Sequence, residues 1–254
     1  YYYVDKSELI SDIVDDGNKV YLFTRPRRFG KTLNLSMIDA FFNMNYKGNT
    51  WFDDLKVSEH ENCTKLKNTF PVISISMKEL EVDDFDLFLS DVATKVSNLF
   101  RTFRYLSDSD KIDQIDKDAF IAIRKKTSNK SELKDSLRFL CEMIELHHGV
   151  KPIVLIDEYD NPINSSFNIN KDIYEQILSF LKGFYSSVLK SNAHMSFAVV
   201  TGIMQIAKES IFSGLNNLRV NNIFTEKFDE RYGFTESEVK EICEYYGHPE
   251  KFAE

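Results

Sequence analysis

The apolar run Val20-Tyr21-Leu22-Phe23 leads into Arg25-Pro26-Arg27-Arg28-Phe29-Gly30-Lys31-Thr32, after which Leu33, Met37, Ile38 and Phe41 recur at helical spacing. Strand, basic turn ending Gly-Lys-Thr, then helix is the order of a phosphate-binding P-loop, and few architectures accommodate it. Gly30 lets the backbone approach an anion, and the amides that follow open the helix N-terminus toward it. Lys31 is placed to bridge β and γ phosphate oxygens, and the Thr32 hydroxyl to ligate Mg²⁺. The full pattern has a glycine where Arg25 stands, so Arg25 and Pro26 make the loop stiffer and more basic. Arg27 and Arg28 have two readings, phosphate contacts in cis or residues of the domain surface. With Phe29 and Leu33, these residues complete a candidate nucleotide-binding set over positions 25–33.

A second apolar run, Ile153-Val154-Leu155-Ile156, ends in Asp157-Glu158. A carboxylate at the C-terminal end of a strand near the P-loop can hold Mg²⁺, and an adjacent Glu can polarise an attacking water. Asp157 is therefore the candidate metal residue with Thr32, and Glu158 the candidate catalytic base with Lys31. Thr201 closes a further apolar run; its hydroxyl either senses a terminal phosphate or merely ends a strand before Gly202. Together these features call for a nucleoside triphosphate with Mg²⁺.

Apolar runs of strand length fall at 20–24, 72–77, 153–157, 197–201 and 223–228, and the first four are nearly continuous in Val, Ile, Leu and Phe. Strands buried on both faces have that composition. Helical stripes lie between them, over 33–43, 85–103, 133–146 and 173–189. The alternation predicts an α/β fold with a mainly parallel five-stranded sheet covered on both faces. With 21 Phe and 12 Tyr, the core is expected to be Phe-rich. Residues 104–132 are polar and mixed in charge, which reads as an exposed, weakly packed helical insertion within a core of 1–230. From 231 the character changes. Thr235-Glu236-Ser237-Glu238 carries a capping box ahead of Val239, Ile242 and Tyr246, the start of a small C-terminal helical module over 231–254.

The net charge of −8 repels nucleic acid overall, so direct nucleic-acid binding is not expected and the basic patch around Arg25 to Lys31 is assigned to a triphosphate. Cys63, Cys141 and Cys243 are isolated and odd in number, as for free thiols in a reducing compartment. The His147-His148 pair reads as a solvated helix end. No run approaches a membrane span and no secretory leader stands at the start, so a cytoplasmic protein is expected. The chain opens Tyr-Tyr-Tyr without Met, so a preceding segment is expected.

Beyond the loop and the Asp157 strand, the strings Tyr3-Val4-Asp5-Lys6, Tyr159-Asp160, Thr201-Gly202-Ile203, Phe212-Ser213-Gly214-Leu215-Asn216-Asn217 and Gly233-Phe234-Thr235-Glu236-Ser237-Glu238-Val239 recur together in one group. With these strings, nearly the whole chain resembles the AAA-ATPase-like family of prokaryotic P-loop proteins. The eight-residue loop with Arg25 is that group's own form of the motif. The resemblance implies a P-loop core of the additional-strand type, ATP as the nucleotide, and Asp5 and Lys6 near the base or bracing the loop. It also implies a role, of unassigned chemistry, for the segment at 212–217. In the family the ATPase domain is commonly followed by a restriction-endonuclease-like domain; the chain stops at Glu254, so DNA cleavage is not carried over to these residues.

Two functions fit these residues. One is a slow ATPase in which Glu158 assists water attack and any arginine finger comes from elsewhere, Arg219 and Arg231 being candidates by location only. The other is a nucleotide-gated switch controlling an attached, nuclease-like effector. A homo-oligomer is compatible with both. A small-molecule kinase is disfavoured, because no arginine-bearing lid or acceptor pocket is recognisable. Guanine selectivity has no Asn-Lys-x-Asp string to support it.

Overall fold

Helices and strands alternate along the computed structural model, which describes residues 2–204, 211–212 and 218–253. Helix α1 (Glu8–Asp16) precedes β1 (Val20–Thr24), α2 (Lys31–Phe42) and the short α3 (Glu61–Thr64). Next come β2 (Val72–Ser76), α4 (Phe85–Thr102), α5 (Gln114–Arg124) and α6 (Lys130–His148). Strand β3 (Ile153–Asp157), α7 (Asn161–Ser166), α8 (Lys171–Leu189) and β4 (Ala198–Gly202) follow, then β5 (Leu218–Asn221) and α9 (Glu236–Tyr245).

The strands form one five-stranded sheet in the order β2-β3-β4-β1-β5, and every pairing is parallel. Strand β4 therefore lies between the P-loop strand β1 and the Asp157 strand β3, the additional strand of this P-loop architecture. Side chains alternate between sheet faces with period two, and the core divides accordingly. Val20, Leu22, Val154, Ile156, Ala198 and Val200 face the layer of α4, α6 and α8. Tyr21, Phe23, Ile153, Leu155 and Val199 face Leu9, Ile10 and Ile13 of α1 and Leu35, Ile38 and Phe41 of α2. Strands β1 and β4 are buried along their whole length, which is why their sequences show no polar alternation. Phe41, Phe42, Phe88, Phe100, Phe120, Phe180 and Phe184 are among the largest fully buried side chains, as the composition leads one to expect.

Three expectations need correction. The fifth strand is Leu218–Asn221, earlier than 223–228. Asn222 turns the chain instead, its side chain accepting from the Phe224 amide at 2.9 Å, and Phe224 is left 90% exposed. The apolar end of that run is explained by Phe228, buried edge-on against Phe23 at 5.3 Å. Second, the segment at 104–132 is packed, not loose. Leu106, Ile112, Phe120 and Ile123 are buried in the main core, and the Phe120 ring lies 4.9 Å from Phe100. Its polar residues cover one side of α5 while a two-residue apolar seam, Phe120 and Ile123, meets α4 and α6. Third, Leu33 leaves the α2 core stripe and is 64% exposed, turned to a cavity described below. At the end of α6, His147 bonds Ser109 at 2.8 Å and His148 bonds Tyr105 at 2.8 Å, so the pair is tied to the preceding segment.

Candidate functional site

Parallel strands deliver their C-terminal ends to one edge of the sheet, and β1, β3 and β4 bring the predicted site residues together there. The loop leaves β1 at Thr24 and enters α2 through Gly30, whose φ of +77° is in the left-handed region that glycine alone adopts without strain. Helix α2 begins at Lys31, so the amides that a first helical turn leaves without partners belong to Lys31, Thr32 and Leu33. These residues line a cavity of about 570 Å³ with Arg27, Arg28, Gly30, Lys78, Glu158, Asn161 and Ile203. Cationic side chains and helix-start donors on one wall suit it to a polyanion.

Lys31 is buried, and its ammonium donates to the Arg25 carbonyl at 2.9 Å and the Pro26 carbonyl at 2.8 Å. Burial holds its pKa below the ordinary lysine value, with Asp157, Asp160 and Glu158 pulling the other way. Two backbone carbonyls are weak partners for a cation that a phosphate would satisfy better.

Asp157 is the junction of the site. Its carboxylate accepts from Thr32 Oγ1 at 2.7 Å and from Thr201 Oγ1, and also from the Glu158 amide at 3.0 Å. One side chain thus ties the loop after β1 to the ends of β3 and β4. Thr32 and Asp157 present hard oxygen donors beside the phosphate-sized cavity. Mg²⁺ commonly takes one or two protein oxygens and completes its shell with phosphates and water, so the donor set fits that ion. Thr201 reaches Asp157 rather than the cavity wall.

Glu158 lines the cavity from a left-handed backbone, φ +52°, and Arg28 does so at φ +69°. Non-glycine residues there carry strain of order 1 kcal/mol. Both are thereby aimed into the same space.

The next two residues of the 157–160 string face away from the cavity and hold its far wall. Asp160 is buried and its Oδ2 accepts the amides of Ile203 and Met204, each at 2.9 Å. The Tyr159 hydroxyl donates to the Met204 carbonyl at 2.8 Å. Gly202 is required by close approach: a Cβ there would lie 2.5 Å from the Tyr159 ring and 2.7 Å from Asp160 Oδ1. The chain leaving β4 is clamped beside Glu158.

Arg25 has a different place. It is 2% exposed, with its guanidinium on the carbonyls of Thr24 and Asn221 at 3.0 and 2.9 Å and over the Tyr232 ring at 5.0 Å. Burial lowers its pKa. It braces the loop from behind, against the turn after β5, and does not line this first cavity.

A second cavity, of about 360 Å³, adjoins the first across Arg28, Gly30 and Leu33. Its walls come from three separate segments: Tyr2, Tyr3, Val4 and Lys6 at the N-terminus, Phe29 and Asn34 around the loop, and Phe234, Ile242 and Tyr246 near α9. It is mainly apolar and aromatic. Lys6 bridges Glu238 and the Glu230 carbonyl, both at 2.6 Å, and the Tyr2 hydroxyl donates to Glu241 at 2.8 Å. Asp5 accepts the amides of Ser7 and Lys56, each at 2.8 Å, and so fixes the start of α1. Gly233 donates to the Phe29 carbonyl at 3.3 Å, joining the loop directly to the α9 segment. Arg231, a candidate finger by location, is held by Asp12 at 2.6 Å and Glu8 at 3.1 Å. Burial works against its charge, but those carboxylates more than offset it and its pKa is raised. Arg219 lies in β5 opposite Tyr21, at the sheet edge beyond β1. Of the string at 212–217, Phe212 packs on Tyr159 at 5.2 Å, whereas Ser213, Gly214, Leu215, Asn216 and Asn217 lie outside the described residues.

Lys78, Asn161 and Ile203 on the first cavity, and the clamp of Tyr159 and Asp160, were not assigned from sequence. For Tyr159 and Asp160 the signal was present, because both sit in the quoted string; for Lys78 only its place just past the end of β2 points to it.

The family model for AAA-ATPase-like proteins, described as "Predicted AAA-ATPase", matches residues 1–212. A protein of Azotobacter chroococcum mcd 1, named "Uncharacterized protein in vnfD 5'region", is 28% identical over 246 residues. That match covers 95% of this chain and 41% of the relative, so the chain spans well under half of the relative's length. No solved structure matches. Among the described residues no helix is long and apolar enough to cross a membrane.

Proposed function

The chain belongs to the AAA-ATPase-like family of predicted AAA-ATPases, and from that premise we propose that it binds ATP·Mg²⁺ and hydrolyses it slowly as the regulatory part of a larger protein. The observation that carries this reading is the convergence of Thr32, Thr201 and the Glu158 amide on the Asp157 carboxylate, beside a cavity lined by Lys31 and Glu158. The triphosphate lies along the first turn of α2, and Lys31 exchanges its two carbonyls for β and γ oxygens. Thr32 and Asp157 would hold Mg²⁺, which would neutralise phosphate charge. Glu158 takes a proton from the attacking water. The base enters the aromatic cavity between Tyr2, Phe29, Phe234 and Tyr246, where stacking and an apolar wall favour a purine. Without a finger from a second subunit, worth about 10³–10⁵ in rate in related systems, turnover is slow.

A second reading, a nucleotide-gated switch, is favoured by one feature. The base-side cavity is shared by the N-terminal segment, the loop and the α9 segment, and the Gly233 amide is bonded to Phe29 of the loop. A ligand there bridges all three, so occupancy alone would set how α9 and any attached effector, nuclease-like in the family, are held.

Calorimetric titration of ATP·Mg²⁺ into the chain and into Lys31→Ala, followed by phosphate release, tests the proposal. Binding that weakens at least about 100-fold in the variant is expected. Equal affinity in the two proteins, or no binding at millimolar ATP, overturns it.

A further inference from the structure

The cations lining the phosphate-side cavity are Arg27, Arg28, Lys31 and Lys78, and three of these belong to the loop itself. Lys78 comes from a different element, just past the end of β2. Strand β2 is one strand beyond β3, roughly 4.8 Å further from the loop, and Ser76 is in register with Asp157. Its exit is fixed by backbone bonding: Met77 donates to the Asp157 carbonyl at 2.9 Å, and the Met77 side chain is fully buried. Glu79 then turns the chain at a left-handed φ of +59°. Lys78 is thus held between an anchored residue and a strained one, in the wall that also carries Glu158.

What the side chain itself does is less committed. Among the described residues its ion pair is with Glu79, at 3.4 Å, and both partners are exposed. Such an exposed pair is weak and gives way readily to a stronger anion. On the ATPase reading, a triphosphate anchored at Lys31 and running toward Glu158 would present its terminal phosphate to β3 and β2, whereas a diphosphate would stop short of them. We infer that Lys78 is a catalytic residue supplied in cis by β2, contacting the γ-phosphate from the side opposite the loop and stabilising charge on it as the bond to the leaving oxygen breaks. The inference rests on the ATPase reading above. It assigns to this chain's own sheet edge a share of the charge stabilisation otherwise expected from a neighbouring subunit's arginine.

The test compares the wild-type chain with Lys78→Gln, Lys78→Arg and Lys31→Ala in titrations with ADP, ATP and a non-hydrolysable ATP analogue, together with phosphate-release rates and melting temperatures. Lys78→Gln is expected to lower kcat about 100-fold and analogue affinity about 5-fold, with ADP affinity within 2-fold of wild type. Lys78→Arg is expected to recover most of the rate. A kcat for Lys78→Gln within 2-fold of wild type overturns the inference while leaving the ATPase reading standing. So does an equal loss of ADP and analogue affinity with a lowered melting temperature, since that is the mark of a structural residue. A wild-type chain that neither binds ATP nor releases phosphate, or that behaves like Lys31→Ala, overturns the ATPase reading and this inference with it.

Discussion

The two cavities that meet at Gly30 are built by opposite means. On the proposed phosphate side, backbone and short side chains set the geometry: Asp157 collects two threonine hydroxyls, Asp160 collects two amides, and Gly202 leaves no room for a methyl group. On the base side, the walls are aromatic rings and long charged side chains from segments far apart in the chain, with Lys6 reaching Glu238 and Tyr2 reaching Glu241. The first is a rigid edge of a parallel sheet; the second is a junction whose parts are joined by partly exposed ion pairs. Preorganised charge belongs where bonds change, and separable segments belong where a ligand's arrival must be felt elsewhere.

The largest effect expected from this contrast is on turnover. Glu158→Gln should reduce phosphate release by at least about 100-fold while ATP affinity stays within a few-fold. If the variant hydrolyses normally, the phosphate side is not where the chemistry occurs, and the comparison breaks. If biological output persists or rises in it, occupancy suffices and the switch reading gains. Next comes stability. Gly202→Ala places a methyl 2.5 Å from the Tyr159 ring within a buried clamp, so it should cost about 1–3 kcal/mol and lower the melting temperature by several degrees. A neutral result would mean that the edge is looser than its contacts imply.

The smallest effect lies on the base side. Burial opposes the charge of Glu238, but Lys6 and the Thr235 amide more than offset it, and its pKa falls below the ordinary 4.5. A carboxyl lowered on folding contributes stability above its unfolded value and loses that contribution as pH falls through the folded one. Amide exchange in α9 should therefore be faster in Lys6→Ala than in wild type at pH 6, by an amount under about 1 kcal/mol. That difference should shrink as the pH falls below 4.5 and Glu238 takes up its proton. A difference that persists in acid would show the ion pair to be incidental.

The same contrast decides how much was legible beforehand. The loop at 25–32 and the string at 157–160 are each an unbroken stretch of sequence, so their residue types and strand context alone suggest the proposed phosphate side. Strands β1, β3 and β4 were equally clear because burial on both faces leaves an unbroken apolar run. Strand β5 was misplaced since it lies at the sheet edge, where Arg219 interrupts the apolar pattern, while Ile223 and Phe224 outside it look more strand-like than it does. The segment at 104–132 hid its few core residues, Leu106, Ile112, Phe120 and Ile123, among its charges. The base-side cavity could not be read at all from spacing. Tyr2, Phe29 and Tyr246 meet only in the folded chain, and Arg25 shows its buried role only through the carbonyls that surround it.

The contact between Gly233 and Phe29 carries a consequence for how such chains can diverge. Residue 233 sits at φ +71°, and a Cβ there would lie 3.0 Å from the Phe29 ring, whose own carbonyl accepts the residue 233 amide. The two positions are therefore sterically coupled. Among relatives, a side chain at 233 should occur only together with a smaller residue at 29, and asparagine, which tolerates that backbone, should be the first to replace the glycine.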